Sequence, residues 1–274
     1  PLTGFGVKVG IVDTGIDYTH PDLGGCLGSG CKVAGGYNFV SNNLNVMDDV
    51  GHGTHVSATV AGKGTAADGT KLYGVAPDAS LYALKVCSSS GCSGTAILNA
   101  FSYCLDPNGD GSFNDRLDIC TASLGSENGS PDDILSIATD RLMLNGVITT
   151  VAAGNLGPNA GTINSPGTSR YAITVGAACE PSFIGVSALC SAPIASFSSR
   201  GPVSWYIAGG LNNMVKPDVV APGVGICAAT SSIGYTSPTC HDTKHIAISG
   251  TSMATPHVAG AAALMKQALP QITD

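Results

Sequence analysis

The segment DICTASLGSENGSPDDILSIATDRLMLNGVITTVAAGN, residues 118–155, reads as strand, helix, strand. An apolar run at 118–125 ends in glycine. A helical period covers 132–146, with Gly146 placed as a C-cap, and a second apolar run follows at 147–155. Two apolar strands joined by a helix make a βαβ unit, which sets the strands parallel. The alternation continues in both directions. VKVGIV (7–12), SLYALKV (80–86) and YAITVGA (171–177) read as strands, and VVAPGVGI (219–226) as extended chain. HVSATVAG (55–62), TAILNAFSYCL (95–105) and the stretch after Ser252 read as helices. The expected fold class is α/β, a three-layer arrangement with a mostly parallel central sheet and helices on both faces. No repeat, linker or low-complexity tract divides the 274 residues, so one domain over 1–274 is expected.

Composition narrows the function. Apolar residues make up 43% and charged residues only 11%, which excludes a disordered chain. The net charge of −7 argues against nucleic acid or an anionic membrane as partner. No apolar run reaches the roughly 18 residues that span a bilayer. The ten cysteines fall into neighbouring pairs: Cys26/Cys31, Cys87/Cys92, Cys104/Cys120, Cys179/Cys190 and Cys227/Cys240. Without a CxxC, disulfides in an oxidising compartment are the better reading, and the expected localisation is secreted. Nearest-neighbour pairing is expected, because short loops close at little entropic cost. His241 and His245 stand i, i+4 beside Cys240, a weak zinc signal with no further ligand cluster in the sequence.

In open parallel sheets, ligands bind beyond the carboxyl ends of the strands. That rule selects Asp13, Asn155, and the turn at Leu124 and Gly125. A carboxylate at the end of a buried strand needs a partner. Asp-Thr-Gly at 13–15 is also an aspartic-protease signature, but that chemistry uses two such carboxylates and no second D-[ST]-G occurs. His52, between two glycines, has bare backbone around it that would leave room for a substrate. As a general base it needs an acceptor for its second nitrogen, which Asp13 can supply. His55 reads as structural and His20 as a loop residue. Ser252, in GTSMATPHVAGAAALM (250–265), is either a helix cap or a nucleophile activated by an adjacent base. At a helix N-terminus its own N–H faces a developing oxyanion. Pro256 falls in the first turns, where a missing N–H costs least. Asn155 offers an amide to the same oxyanion, against the bland reading of a Gly-Asn turn.

The stretch DPNGDGSFNDRLD (106–118) resembles the first half of an EF-hand-type loop. Asp106, Asn108 and Asp110 stand at alternate positions before Gly111, and Ser112 offers a backbone carbonyl. Leu117 replaces the bidentate Glu, so Asp115 or Asp118 would have to complete the site. A structural Ca²⁺ is expected, against a plain polar turn.

IVDTGIDYTHPDL, GHGTHVSATVAG, GVAP, SLG, VAAGN, SFSSRGP, KPDVVAPG and GTSMATPHVAGAAAL resemble, in order from residue 10 to 265, the motif set of the subtilisin-like serine proteases, the subtilases. The order Asp, His, Ser is that of subtilisin and not that of the α/β-hydrolases. The resemblance implies a subtilisin-like fold and an endopeptidase with an acyl-enzyme intermediate. Asp13 would orient His52, His52 would act as base and then acid, and Ser252 would attack. The Asn155 side chain and the Ser252 N–H would hold the oxyanion. Substrate would lie along Ser123, Leu124 and Gly125. The pocket for the residue before the scissile bond would be walled by that segment and by Ala152, Ala153 and Gly154, with Leu156 at its rim. No acidic residue falls there, so apolar P1 residues are expected and kexin-like specificity is disfavoured. The resemblance also implies protein or peptide substrates, a monomer, and a removable pro-segment serving as inhibitor and chaperone. Subtilases usually carry further C-terminal structure as well. The competing expectation is a catalytically silent, calcium-stabilised binding domain on the same fold.

Overall fold

The computed structural model describes residues 1–127, 129–207, 209–235 and 237–271. Seven strands form the central sheet: β1 (Lys8–Asp13), β2 (Val33–Asn38), β3 (Ser80–Lys85), β4 (Ile119–Ala122), β5 (Ile148–Ala152), β6 (Ile173–Ala178) and β7 (Val219–Pro222). Their order is β7-β6-β5-β4-β1-β3-β2, and every neighbouring pair is parallel. The chain leaves β1 toward β3 and β2, then returns to its other side through β4. The strand order reverses there, so the crevice beyond β1 and β4 is the ligand position for such a sheet.

The helices are α1 (His52–Ala61), α2 (Gly94–Leu105), α3 (Ile134–Leu144) and α4 (Thr251–Ala268). Strand alternation assigns them to layers. Val9, Ile11, Leu81 and Ala83 share one core with Val56 and Val60 of α1 and Met253 and Ala259 of α4. Val12, Leu84 and Ala122 share the other with Ile97 and Phe101 of α2 and Leu142 of α3. Both faces of the sheet are therefore covered, and the three-layer expectation holds. Among the described residues, no helix is long and apolar enough to cross a membrane.

The structure departs from the sequence reading in three places. Strand β2 escapes a periodicity reading, because it is an edge strand interrupted by Gly35 and Gly36. VVAPGVGI is not one element. Its first half is β7, and its second half opens β8 (Ile226–Ala229), which pairs antiparallel with β9 (Asp242–Ile248) in a separate small sheet. Four of the expected disulfides form, but Cys104 and Cys120 are free thiols. They project from α2 and β4 into the second core, where each is fully buried and packs as a small apolar side chain.

Candidate active site

Asp13 is the last residue of β1 and is 1% exposed. Its carboxylate receives the His52 Nδ1 hydrogen at 2.8 Å from Oδ1 and 3.0 Å from Oδ2. The Thr14 amide donates to the same Oδ1 at 2.7 Å. Holding Nδ1–H leaves the lone pair on Nε2, as a base requires. Burial alone would lower the His52 pKa. The Asp13 charge and hydrogen bond, with a smaller contribution from Asp48, outweigh it and hold the pKa above the ordinary imidazole value.

Glycine brackets His52 for reasons of chain geometry. Gly51 has φ 107°, a left-handed conformation that favours glycine. A methyl group on Gly53 would stand 2.1 Å from the Gly15 carbonyl and 3.2 Å from the Asp13 Cβ. The bare backbone thus lets the helix start press against the Asp13 turn, which corrects the expectation that it makes room for substrate.

Asp48 organises this junction, and sequence reasoning missed it. It is fully buried. Its Oδ1 accepts from Thr14 Oγ1 and from the amides of Val50 and Gly51. Its Oδ2 accepts from the Thr54 amide and hydroxyl. Thr14 Oγ1 in turn accepts from the Gly53 amide at 2.8 Å. The only sequence signal was an acidic pair just before a helix start, which is too common to single out. His55 fits its structural reading. It donates through Nε2 to the Ile226 carbonyl at 2.9 Å, and burial pushes its pKa down to about 4.

Helix α4 opens at Thr251 with Gly250 as N-cap, so Ser252 does not cap it. The cap comes from the turn after β5, since Asn155 Oδ1 accepts from the Thr251 amide at 2.9 Å and its hydroxyl at 3.0 Å. With its oxygen so engaged, the Asn155 amide nitrogen turns outward. A methyl on Gly250 would stand 3.6 Å from both Asn155 Nδ2 and the Ser252 amide nitrogen. Two donors therefore flank one small space, the arrangement an oxyanion needs.

Ser252 Oγ donates to the Ser123 carbonyl at 3.1 Å, so in this state its single proton does not point at the imidazole. Pro256 lies inside α4, beyond its first turn, and lacks the N–H that would normally bond the Ser252 carbonyl. Ser123 Oγ takes that place at 2.9 Å.

The expected substrate-binding segments face a shared support. Ser126 and Ser165 exchange backbone hydrogen bonds at 2.9 and 3.0 Å, just beyond Ser123, Leu124 and Gly125. Asn164 binds the Ala153 carbonyl through its amide at 2.9 Å. A methyl on Gly154 would meet the Asn164 side chain at 2.6 Å. Ala152, Ala153 and Gly154 are buried, and Leu156 is 40% exposed. The 163–166 loop ties both walls together and was not foreseen from sequence.

In the acidic loop, Asp106 accepts from the amides of Gly109, Asp110 and Gly111. Asp110 accepts from the Ser112 amide, and Asp115 from the Asn108 amide at 3.2 Å. The second oxygen of Asp115 is buried without a hydrogen-bond partner. Asp118 is engaged elsewhere, accepting the Lys8 amide at 2.8 Å at the start of β1.

A model described as the subtilase family matches residues 4–274. The chain is 38% identical to Serine protease AprX of Bacillus subtilis, with 99% of this chain and 59% of that protein covered. It is 38% identical to Subtilisin DY of Bacillus licheniformis (98% and 80% covered) and 37% identical to Subtilisin Savinase of Lederbergia lenta (98% and 79%). Among solved structures it resembles a cold adapted subtilisin-like serine proteinase, at 30% identity and TM-score 0.71, covering 99% of this chain and 79% of that one. It also resembles Sphericase, at 30% identity and TM-score 0.72, with 99% and 80% covered.

Proposed function

The chain belongs to the subtilase family, and from that premise we propose that it is a secreted serine endopeptidase whose catalytic residues are Asp13, His52, Ser252 and Asn155. The observation that carries this reading is the double contact of His52 Nδ1 with both Asp13 oxygens.

On this reading each group has its own step. Substrate displaces the Ser252 hydroxyl from the Ser123 carbonyl. His52 Nε2 takes the hydroxyl proton as Oγ bonds to the scissile carbonyl carbon. The carbonyl oxygen gains the electron pair and sits between Asn155 Nδ2 and the Ser252 amide. Asp13 keeps the imidazole in the Nδ1–H form and stabilises the imidazolium. The C–N bond breaks as His52 returns the proton to the departing amine. Water, deprotonated by the same imidazole, then releases the acyl group and restores Ser252.

Extended peptide lies along Ser123, Leu124 and Gly125, and the P1 side chain enters between that segment and Ala152, Ala153 and Gly154. Small apolar walls with exposed Leu156 near them support a preference for apolar P1 residues. The enzyme works as a monomeric domain that its own pro-segment inhibits and helps to fold. The four disulfides support an extracellular setting.

The orphaned buried oxygen of Asp115, next to the Asp106 turn, fits a hard cation. Asp106, Asn108, Asp110, Asp115 and the Ser112 carbonyl would hold a structural Ca²⁺ that braces the loop. Removing it lowers the temperature at which the loop is cut, without changing the cleavage profile.

The deciding experiment is titration with a fluorophosphonate, with cleavage of a peptide library alongside. Stoichiometric labelling that disappears in Ser252→Ala supports the reading. A folded chain that neither labels nor cleaves is a silent binding domain. Cleavage that survives Ser252→Ala and yields to pepstatin would restore the aspartic-protease alternative.

A further inference from the structure

Asp22 and His245 are 223 residues apart, yet Asp22 Oδ2 lies 2.9 Å from His245 Nε2. His20 closes the group, with its Nδ1 3.7 Å from Asp22 Oδ1. All three side chains are buried. Among the described residues, this is the one His/Cys/Asp/Glu group whose ligand atoms all lie within 4.8 Å of one another. We propose that His20, Asp22 and His245 form a binding site for a divalent transition metal of the zinc type, using His20 Nδ1, His245 Nε2 and an Asp22 oxygen.

The outer contacts of both rings favour this role. His245 Nδ1 donates to Asp242 Oδ1 at 2.6 Å, and Asp242 is anchored by the amides of Ala67 and Lys244 at 2.8 Å. His20 Nε2 donates to the Lys244 carbonyl at 3.1 Å. Each imidazole is thus held through one nitrogen by an acceptor, with the other nitrogen aimed at Asp22. A carboxylate or carbonyl behind a ligating histidine fixes its tautomer and orientation in just this way. Ligands about 2.0 Å from a tetrahedral metal stand roughly 3.3 Å from one another, within the spread found here. Two imidazoles and one carboxylate suit zinc, whereas calcium takes six to eight oxygens.

Binding involves two exchanges. His245 now lies between two carboxylates, with Nε2 facing Asp22 and Nδ1 facing Asp242. The metal takes the place of the proton held between Nε2 and Asp22 Oδ2, which leaves to solvent. His20 Nδ1 now accepts from the Asp22 amide at 3.1 Å, and the metal bond replaces that contact. Asp22 also lines a cavity of about 230 Å³ shared with Thr59, Lys71 and His257, which gives an entry path and space for a water as fourth ligand. The site would clip β9, which runs toward Ser252, to the turn that follows Asp13. Sequence hides it because His245 has its companions near the other end of the chain. Nearby His241 instead pairs with Asp68 at 2.8 Å.

The test uses the Ser252→Ala chain, stripped with chelator to prevent carry-over and incapable of serine-dependent self-digestion. Zn²⁺ is titrated by equilibrium dialysis, and Co²⁺ serves as a visible-absorption probe. The expected result is about one tightly held Zn²⁺ per chain, an intense four-coordinate Co²⁺ spectrum, and a raised thermal midpoint with Zn²⁺. Asp22→Asn and His245→Gln abolish all three, while His241→Gln keeps them. Gly64→Ala retains every ligand but sets a methyl 2.1 Å from Asp22 Oδ2, so it weakens binding even if His245→Gln does not fold. The proposal is overturned if the folded parent retains no zinc, if Co²⁺ shows only a weak six-coordinate spectrum, or if retention survives Asp22→Asn.

Discussion

Ser123 and Ser252 exchange two hydrogen bonds, hydroxyl to carbonyl in each direction. The pair exists because Pro256 cannot offer an N–H to the Ser252 carbonyl. A proline that would ordinarily weaken a helix instead frees an acceptor, and Ser123, at the end of β4, uses it to fix the helix start over the sheet. Ser123→Ala removes the donor and leaves the Ser252 carbonyl without its partner. The expected cost is about 1–3 kcal/mol of unfolding free energy by denaturant titration, with Ser252 still labelled by fluorophosphonate. Unchanged stability would show that water or Thr255 serves the carbonyl equally well.

Gly250 stands between the two proposed oxyanion donors. Its φ of 164° is extended backbone open to any residue, so glycine is not required by strain. Gly250→Ala therefore separates function from folding. The methyl, 3.6 Å from Asn155 Nδ2 and from the Ser252 nitrogen, fills the space the oxyanion needs. The thermal midpoint should stay near that of the parent while kcat falls by about 10²-fold or more. That is the scale known for loss of one such donor in subtilisin and is carried over from it. Asn155→Ala should lose a similar amount and also loosen α4, because the same side chain caps Thr251. A Gly250→Ala enzyme with parental kcat would place the oxyanion elsewhere.

Much of this site was legible before any coordinates, because parallel strands deliver their carboxyl-terminal residues to one edge. Asp13, Asn155 and the turn at Leu124 and Gly125 were selected by that rule alone, and the parallel register makes the strands that lead to them neighbours in the sheet. The supports were not legible. Asp48 acts through backbone amides that the fold brings to its carboxylate, Asn164 and Ser165 act through their own backbone groups, and no local pattern marks a residue whose partners are chosen by tertiary packing. The failure at Cys104 and Cys120 has the same origin. Loop length gives the entropy of closure, but Cβ direction and layer packing decide whether two sulfurs bond.

The Asp13–His52 contact predicts the pH dependence. In the proposed mechanism the neutral imidazole is the active form, so kcat/KM should fall as pH drops through the His52 pKa, which lies above the ordinary imidazole value. Asp13→Asn removes the charge that outweighs burial. The acid limb should shift to lower pH while the plateau drops by several orders of magnitude. For stability the sign is opposite. A raised folded-state pKa contributes stability that is fully present below the unfolded value of about 6.5 and is lost as pH rises through the folded one. Rate profiles and the imidazole proton resonance should report the same transition. An acid limb unmoved by Asp13→Asn would assign it to another group.

The two core thiols give a chemical test of the fold. Burial, together with the Cys120 hydrogen bond, pushes the Cys104 thiol well above its usual pKa. Neither sulfur should react with a thiol reagent at neutral pH while the chain is folded. In denaturant without reductant, Cys104 and Cys120 should both react and the remaining cysteines should not. A denatured chain without reactive thiols would mean that these two are bonded after all.

Asp48 provides the sharpest stability prediction, because it has no proposed contact with substrate. Both carboxylate oxygens are spent on donors: Thr14, Val50 and Gly51 on one side and Thr54 twice on the other. Asparagine matches the shape but can accept on only one side, and its NH₂ then faces donors it cannot satisfy. Asp48→Asn should cost about 2–4 kcal/mol, whereas Asp49→Asn, at a side chain 50% exposed that keeps an oxygen for Lys85, which the Thr14 carbonyl also holds, should cost about 1 kcal/mol or less. Because the same carboxylate holds Gly51 and Thr54 on either side of His52, the surviving folded enzyme should also show a lower kcat with KM little changed. Paired denaturation and steady-state measurements on the two variants decide it. Equal and small losses from both substitutions would mean that Thr14 and the α1 start hold His52 without Asp48.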